Sequence, residues 1–561
     1  MRMARAVRMV QGLGIVAALW SGGAFAQVTV VTAATVHTMD VAHPAAQAFA
    51  YGADGRLLAI GTRDAVLAKY PDAKRLDLGA ATVVPGLIDA HGHVANLGYT
   101  FLRADLVGTT SKDEVIARLK AFANDLKPGA WLLGRGWDQN DWPEKNFPTA
   151  ADLDAAFPDR PVWLRRVDGH AGWANTVAMK AVGRDLDGDW QPDGGRIERN
   201  GGRATGVFVD GAMQLVDTVV PPVDDATATR ALELGMKSAV EHGLTGVHDA
   251  GVSLADLRRY MRLADAGKMP LRIDAMADGD HDAFGWLCEH GAYRHPGGHL
   301  EMRTVKLYID GALGSRGAAL LQPYTDATDT HGLLVIEPSK LREVTQRARR
   351  CKLQVATHAI GDRGNREVLD AYQLALGANP GDHRWRIEHA QVLAPDDLPR
   401  LAQMGIIASM QPTHATSDMP WAEDRLGPDR IVGAYAWRRL RDTGTRLALG
   451  SDFPVESVDP RLGLYAAATR TDADGKPVGG WHPEEKLTAY EALRGFTLDA
   501  AYAGFDEHDV GSLETGKRAD FVVLREDPLA IDPSQLRNLT VEATYVDGKA
   551  VFTAPKAWGS R

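Results

Sequence analysis

Two histidines, His91 and His93, stand two residues apart where the apolar run VVPGLIDA ends. On a strand that spacing puts both side chains on one face, and two imidazoles on one face can hold one divalent metal ion. Gly92 between them has no side chain and is expected to leave the ion room to approach. Two more histidines close later strand-like runs, His358 in QVATHAIGD and His389 in WRIEHAQV, and Asp452 follows LALGS. One such histidine would be an ordinary core residue; a series at successive strand ends reads as a ligand set. An aspartate at a strand end can cap the following helix. Beside a metal it can instead ligate, and take a proton from an activated water.

Lys306 falls between these motifs in chain order, inside the apolar stretch TVKLYIDGA. An ammonium is costly to desolvate, so a lone strand lysine ordinarily faces solvent at an edge. Two metals held by four imidazoles and a carboxylate need a bridge, and no Asp or Glu between His93 and His358 is as well suited. A neutral lysine amine reacts with CO₂ to give a carbamate, which is a carboxylate on a long arm. Burial and nearby cations lower a lysine's pKa and make that neutral amine available.

The scaffold for these residues is legible in the alternation around them. From residue 81 to 504, short apolar runs alternate with helical periodicity, as in SKDEVIARLKAFANDL and ATATRALELGMKSAVEHG. Repeated β-then-α units of this kind argue for a parallel α/β architecture, and at this length for a TIM-type (β/α)₈ barrel with insertions. WLLGRGWD and PVWLRRVDGH stand among the strand runs. The insertions are placed at Trp131–Asp210, rich in Trp, Gly and Asp, and near Thr413–Arg430. Residues 27–80 and 505–561 read as short strands with Gly/Asp turns, too small to form a core separately. They are expected to pack together as one small β-sandwich domain built from both chain ends.

Composition narrows the function classes. The chain has 561 residues and a formal charge of −10, with no basic block beyond its N-terminus, which argues against a nucleic-acid partner. Residues 1–26 carry three arginines, then the apolar run GLGIVAALW, then Ala24-Phe25-Ala26. That is the pattern of a cleavable signal peptide with a cut after Ala26, and its apolar run is too short to span a bilayer. Export to the periplasm or outside the cell is expected, without a stable membrane anchor. Export would permit a disulfide between the two cysteines, Cys288 and Cys351, but the sequence leaves their pairing open. A homo-oligomer stays open as well.

The motifs PGLIDAHGH, RGWDQNDW, DGHAGWANT, KLYIDGALGSR, THAIGDRGN, RIEHAQ and LGSDFPVE occur in that order. Together they resemble the amidohydrolase superfamily, and within it amidohydrolase family 3, the YtcJ-like metal-dependent branch, over nearly the whole mature chain. The resemblance implies that His91 and His93 bind one metal, and His358 and His389 the other. It implies that Asp452 ligates and shuttles the proton, and that a carboxylated Lys306 bridges. One or two Zn²⁺ ions are expected, other divalent metals being compatible. The implied reaction is metal-assisted hydrolysis of a non-peptide, N-acyl or N-formyl amide C–N bond in a small molecule. Deamination or ester hydrolysis on the same centre is the alternative, and a silent metal- or ligand-binding protein the third reading. Trp137, Asp138, His170, Arg316 and His414 are candidate substrate contacts.

Overall fold

The computed structural model describes residues 28–124, 126–166, 171–192, 195–279 and 282–555. The N-terminal stretch carrying the signal-peptide pattern lies outside these described residues. Eight parallel strands form the central barrel. They are β1 (Leu87–Gly92), β2 (Leu244–Val252), β3 (Arg272–Asp278), β4 (Leu300–Tyr308), β5 (Gln354–Ala359), β6 (Arg386–His389), β7 (Ile407–Met410) and β8 (Leu447–Leu449). Neighbours pair in chain order from β1 to β8. The residues just after β8 stitch it back to β1. Ser451 binds Asp89 through its backbone N at 3.0 Å and its hydroxyl at 2.6 Å, and Asp452 N donates to His91 O at 2.7 Å. The barrel expectation therefore holds.

Strand β4 shows how one sequence serves two faces. Leu300, Met302, Val305 and Leu307 belong to the apolar layer shared with the surrounding helices. Thr304 and Lys306 alternate with Val305 and Leu307, and both are buried. Outside β1 and β2, the helices Val94–Thr100 and Asp225–Glu241 pack unusually close. A side chain at Gly98 would begin 1.7 Å from Ala231 O, and one at Gly235 would begin 2.2 Å from Val94 O. That contact seats the helix that follows His93, and glycine is what permits it.

Both chain ends meet in one hydrogen-bonded sheet of eight strands. Thr82–Pro85 from the N-terminal part pairs antiparallel with Phe521–Leu524 from the C-terminal part. The first half of Thr29–His37 pairs with Lys74–Asp77 and the second half with Thr82–Pro85. Arg272 at the start of β3 ties this sheet to the barrel floor, bonding Asp520 at 2.7 and 3.0 Å and Asp547 at 2.7 Å.

The third sheet agrees with an insertion over Trp131–Asp210 and moves its start earlier. Leu132–Trp137 and Val162–Arg166, the strands in WLLGRGWD and PVWLRRVDGH, do not join the barrel. They lie in a separate six-stranded sheet that begins at Ala104–Asp105, well before Trp131. Its first three strands are parallel and linked by helices such as Lys112–Ala123, so each unit has the same β-then-α signature as a barrel unit. Periodicity reports the unit and says nothing about which sheet receives it. The polar stretch near Thr413–Arg430 forms the helices Pro412–Asp418 and Ala422–Arg430. Cys288 and Cys351 are joined as a disulfide with Cα atoms 5.1 Å apart. It links helix Asp282–His290 to the end of helix Pro338–Arg350. Among the described residues, no helix is long and apolar enough to cross a membrane.

Candidate metal centre

The carboxyl ends of the barrel strands bring six of the sequence-derived residues together: His91, His93, Lys306, His358, His389 and Asp452. A seventh, His414, joins them from the helix after β7. Backbone geometry helps to turn two of them inward. His389 and Asp452 both take left-handed backbone, at φ 70° and 62°, which non-glycine residues rarely adopt. Such strain persists where the surrounding structure enforces it, commonly at functional sites. Gly92 serves another purpose than expected. A side chain there would start 2.5 Å from the Phe453 ring, so the space belongs to packing between β1 and the loop after β8.

Hydrogen bonds fix which nitrogen of each imidazole is free. A ring nitrogen facing a carbonyl or carboxylate oxygen must carry the hydrogen, which leaves the other nitrogen bare. His91 donates from Nδ1 to the fully buried Glu388 carboxylate. His93 Nδ1 donates to Ala250 O at 2.9 Å, and His389 Nδ1 to Gln411 Oε1 at 2.8 Å. Their Nε2 atoms point into one space. His91 Nε2 lies 3.3 Å from Lys306 Nζ and 3.6 Å from Asp452 Oδ1. His93 Nε2 is 3.1 Å from the same oxygen, and His414 Nε2 is 3.7 Å from Asp452 Oδ2. His358 Nε2 is buried without a hydrogen-bond partner among the described residues, 3.6 Å from Asp310 Oδ1.

Bare nitrogens aimed at a carboxylate repel it unless a proton or a cation stands between them. The donor set therefore fits a divalent metal. His91, His93 and Asp452 offer ligand atoms within 4.8 Å of one another, and so do His389, His414 and Asp452. His414, taken from sequence as a substrate contact, thus stands beside His389 as a potential ligand, whereas His358 faces Asp310.

Burial tunes the protonation of the site. It lowers His91 to about 4, with the Lys306 charge adding to it, and lowers His358 to about 3 for the same two reasons. His389 is held well below the usual histidine range by burial and by His358. All three are neutral at pH 7, the form that ligates. Burial also opposes a charge on His93, but Asp452 beside it wins and raises its value. Burial would raise the Asp452 carboxyl; the His93 contact and the neighbouring imidazoles overcome it and hold Asp452 well below its ordinary value. Lys306 is 1% exposed, and burial brings it down to about 8 against the pull of Glu388 and Asp452. A measurable fraction of the neutral amine is therefore present near neutral pH.

Other candidates lie elsewhere. Trp137 is fully buried in the core of the inserted sheet, packed on Trp142 and Trp173, and its indole donates to Leu164 O at 2.9 Å. Asp138 accepts from Arg166 at 2.5 Å in the same unit. Arg316 pairs with Asp326 on the loop after β4, at 3.1 and 2.8 Å. His170 lies outside the described residues. Sequence reading passed over Arg386, Glu388, His248 and Gln411, which support the ligands from behind. For Arg386 and Glu388 the signal was available in RIEH, where they alternate on one face of a strand that ends at His389.

Comparison with known proteins points to a metal-dependent hydrolase of this fold. The family model described as "Amidohydrolase family" matches residues 74–552. The YtcJ protein of Bacillus subtilis (strain 168) is 35% identical over 511 residues, covering 90% of this chain and 95% of its own. N-substituted formamide deformylase of Arthrobacter pascens is 31% identical, covering 92% of this chain and 96% of its own. The crystal structure of an uncharacterized metal-dependent hydrolase from Pyrococcus horikoshii superposes with a TM-score of 0.77 at 26% identity, covering 90% of this chain and 99% of that one. With these relatives and a convergent set of metal-ligating side chains at the mouth of its barrel, the chain belongs to the amidohydrolase family, as a metal-dependent hydrolase acting on C–N bonds.

Proposed function

We propose that the protein is an exported hydrolase of N-substituted formamides, releasing formate and the amine from a small molecule. The observation that carries this reading is the convergence of bare imidazole nitrogens and the Asp452 carboxylate around a buried, partly deprotonated Lys306. The formamide choice is supported by the deformylase relative, which aligns over nearly its full length. Apolar side chains at the site suit a hydrophobic N-substituent. Tyr308 is 36% exposed with its ring 4.9 Å from Lys306 Nζ, and Val455 is 65% exposed three residues beyond Asp452.

In this reading His91 and His93 would hold one zinc ion, His389 with His358 or His414 would hold a second, and Lys306, if carboxylated, would supply a further carboxylate to both. The metal supplies Lewis acidity to the substrate carbonyl and to the attacking water. Asp452 accepts the proton of that water as its oxygen bonds to the formyl carbon. Asp452 then delivers the proton to the leaving nitrogen as the C–N bond breaks. Its Oδ1 lies 3.6 Å from His91 Nε2 and 3.1 Å from His93 Nε2, on the side where the metal and its water would be held. Burial keeps His91, His358 and His389 neutral, which leaves Asp452 as the acid–base group in this reading.

Export is supported by the signal-like pattern of residues 1–26 and by the Cys288–Cys351 disulfide, a bond that persists in oxidising compartments. The test is a zinc-loaded preparation offered N-benzylformamide beside N-acetyl, N-acyl amino acid and ester analogues, with formate release measured. We expect formyl substrates to lead, and Asp452→Asn to cut the rate by about 10²–10⁴-fold. Turnover confined to acyl or ester analogues would sink the formamide assignment.

A further inference from the structure

The three imidazoles with identified supports behind them are not supported alike. Behind His93 stands a backbone carbonyl, behind His389 the neutral amide of Gln411, and behind His91 the carboxylate of Glu388. A metal-ligating imidazole that donates its other N–H to a carboxylate is the more basic donor and is held in a fixed orientation. Glu388 is itself immobilised. Arg386 Nε donates to its Oε1 at 2.7 Å and Arg386 Nη2 to its Oε2 at 3.0 Å. The same guanidinium reaches Ala90 O at 2.6 Å, Ser409 Oγ at 2.8 Å and His248 Nδ1 at 2.7 Å.

Arg386 thus ties together β1, β2, β6 and β7, and it grips the backbone of the residue before His91. Both Arg386 and Glu388 are fully buried, so neither can relax toward water. An arginine only donates, so His248 must accept at Nδ1 and carry its hydrogen on Nε2. The supporting network therefore has one arrangement of hydrogens, and in that arrangement His91 Nε2 is bare.

We propose that Glu388, locked by Arg386, is a positioning residue that makes the His91–His93 half of the centre the tighter metal site, the His389 half being weaker because Gln411 stands behind it. This inference rests on the two-ion reading above. The test titrates the metal-stripped mature protein with Zn²⁺ against a chromogenic chelator, and in parallel with Co²⁺, reading its visible absorption at one and two equivalents.

The wild type is expected to bind in two steps separated by at least about tenfold. Glu388→Gln should weaken the first step by about 10–100-fold and leave the second in place, since outer partners of this kind carry that share of affinity. Gln411→Glu supplies the missing carboxylate to His389 and should strengthen the second step. It loses little in exchange, because the Gln411 amide makes only a 3.4 Å contact to Ser409 O. Should Glu388→Gln fail to fold around an unpaired Arg386, Gln411→Glu decides alone. Equal weakening of both steps by Glu388→Gln, or an unmoved second step in Gln411→Glu, overturns the assignment. Uptake of a single zinc ion by the wild type overturns the two-ion reading itself.

Discussion

An ammonium group inside a barrel survives only where it can shed its charge or share it, since an unpaired buried ion is among the costliest groups a fold can hold. Lys306 is inside, 3.3 Å from His91, and no Asp or Glu is hydrogen-bonded to it among the described contacts. Burial has lowered it to about 8, within reach of deprotonation near neutral pH. If it carries CO₂ and bridges the centre, Lys306→Ala should lose bound metal and activity together. A short carboxylic acid supplied in solution should then restore part of both. Metal content by elemental analysis, with and without the acid, checks this; a variant that keeps both ions and full rate excludes the bridge. The ligands at strand ends were legible from sequence because each closes an apolar run. Glu388 was not, because burial decides its meaning: a charged pair in R-I-E-H looks like a solvated face until Arg386 and Glu388 are both found at zero exposure.

Among the elements, strand and helix periodicity made the barrel readable, while composition marked the insertion and periodicity could not show that it starts as early as Ala104. Its parallel strands Ala104–Asp105, Leu132–Trp137 and Val162–Arg166 satisfy every local rule a barrel strand does. What separates them is long-range packing. Trp137, Trp142 and Trp173 close on one another and give that unit its own core. Trp137, a candidate substrate contact from sequence, is therefore a packing residue of that core. The disulfide belongs to this scale too, since it fastens the helix following β3 to the helix that precedes β5. Its partners are 63 residues apart, and closing a loop of that length removes chain entropy worth about 4 kcal/mol from the unfolded state. Replacing Cys288 and Cys351 together by serine should lower the unfolding free energy by an amount of that order, read as an earlier denaturation midpoint, while metal stoichiometry stays unchanged. A variant as stable as the wild type would show that the bond constrains nothing the helices do not already hold.

The molecule as a whole is joined at the barrel floor, where the C-terminal segment returns beneath β2 and β3. Charge is concentrated there. Arg272 clamps Asp520 and Asp547, and Arg294 bonds Asp506 at 2.9 Å and Asp509 at 3.1 Å. The junction is imperfectly balanced, because Asp274 is buried with neither carboxylate oxygen hydrogen-bonded among the described residues. Burial first, and the Glu301 charge second, raise Asp506 to about 6 in spite of Arg294. Asp274 is pushed up by the same two causes. A carboxyl raised on folding binds its proton more tightly in the folded state. Its contribution to stability is full below the unfolded value of about 3.9 and is lost as pH rises through about 6. Asp547 runs the other way. Burial would raise it, but His299 and Arg272 hold it well below the usual range, so its contribution is present above about 3.9 and fades in acid. The two signs together place the junction's best pH near 4, with stability falling from there to about 6. Asp506→Asn removes one titration and should therefore flatten the fall in melting temperature between pH 5 and 7, gaining on the wild type at pH 7 and not at pH 4. Melting curves of both proteins across that range decide it, and parallel curves would mean that Asp506 keeps its charge on folding without cost.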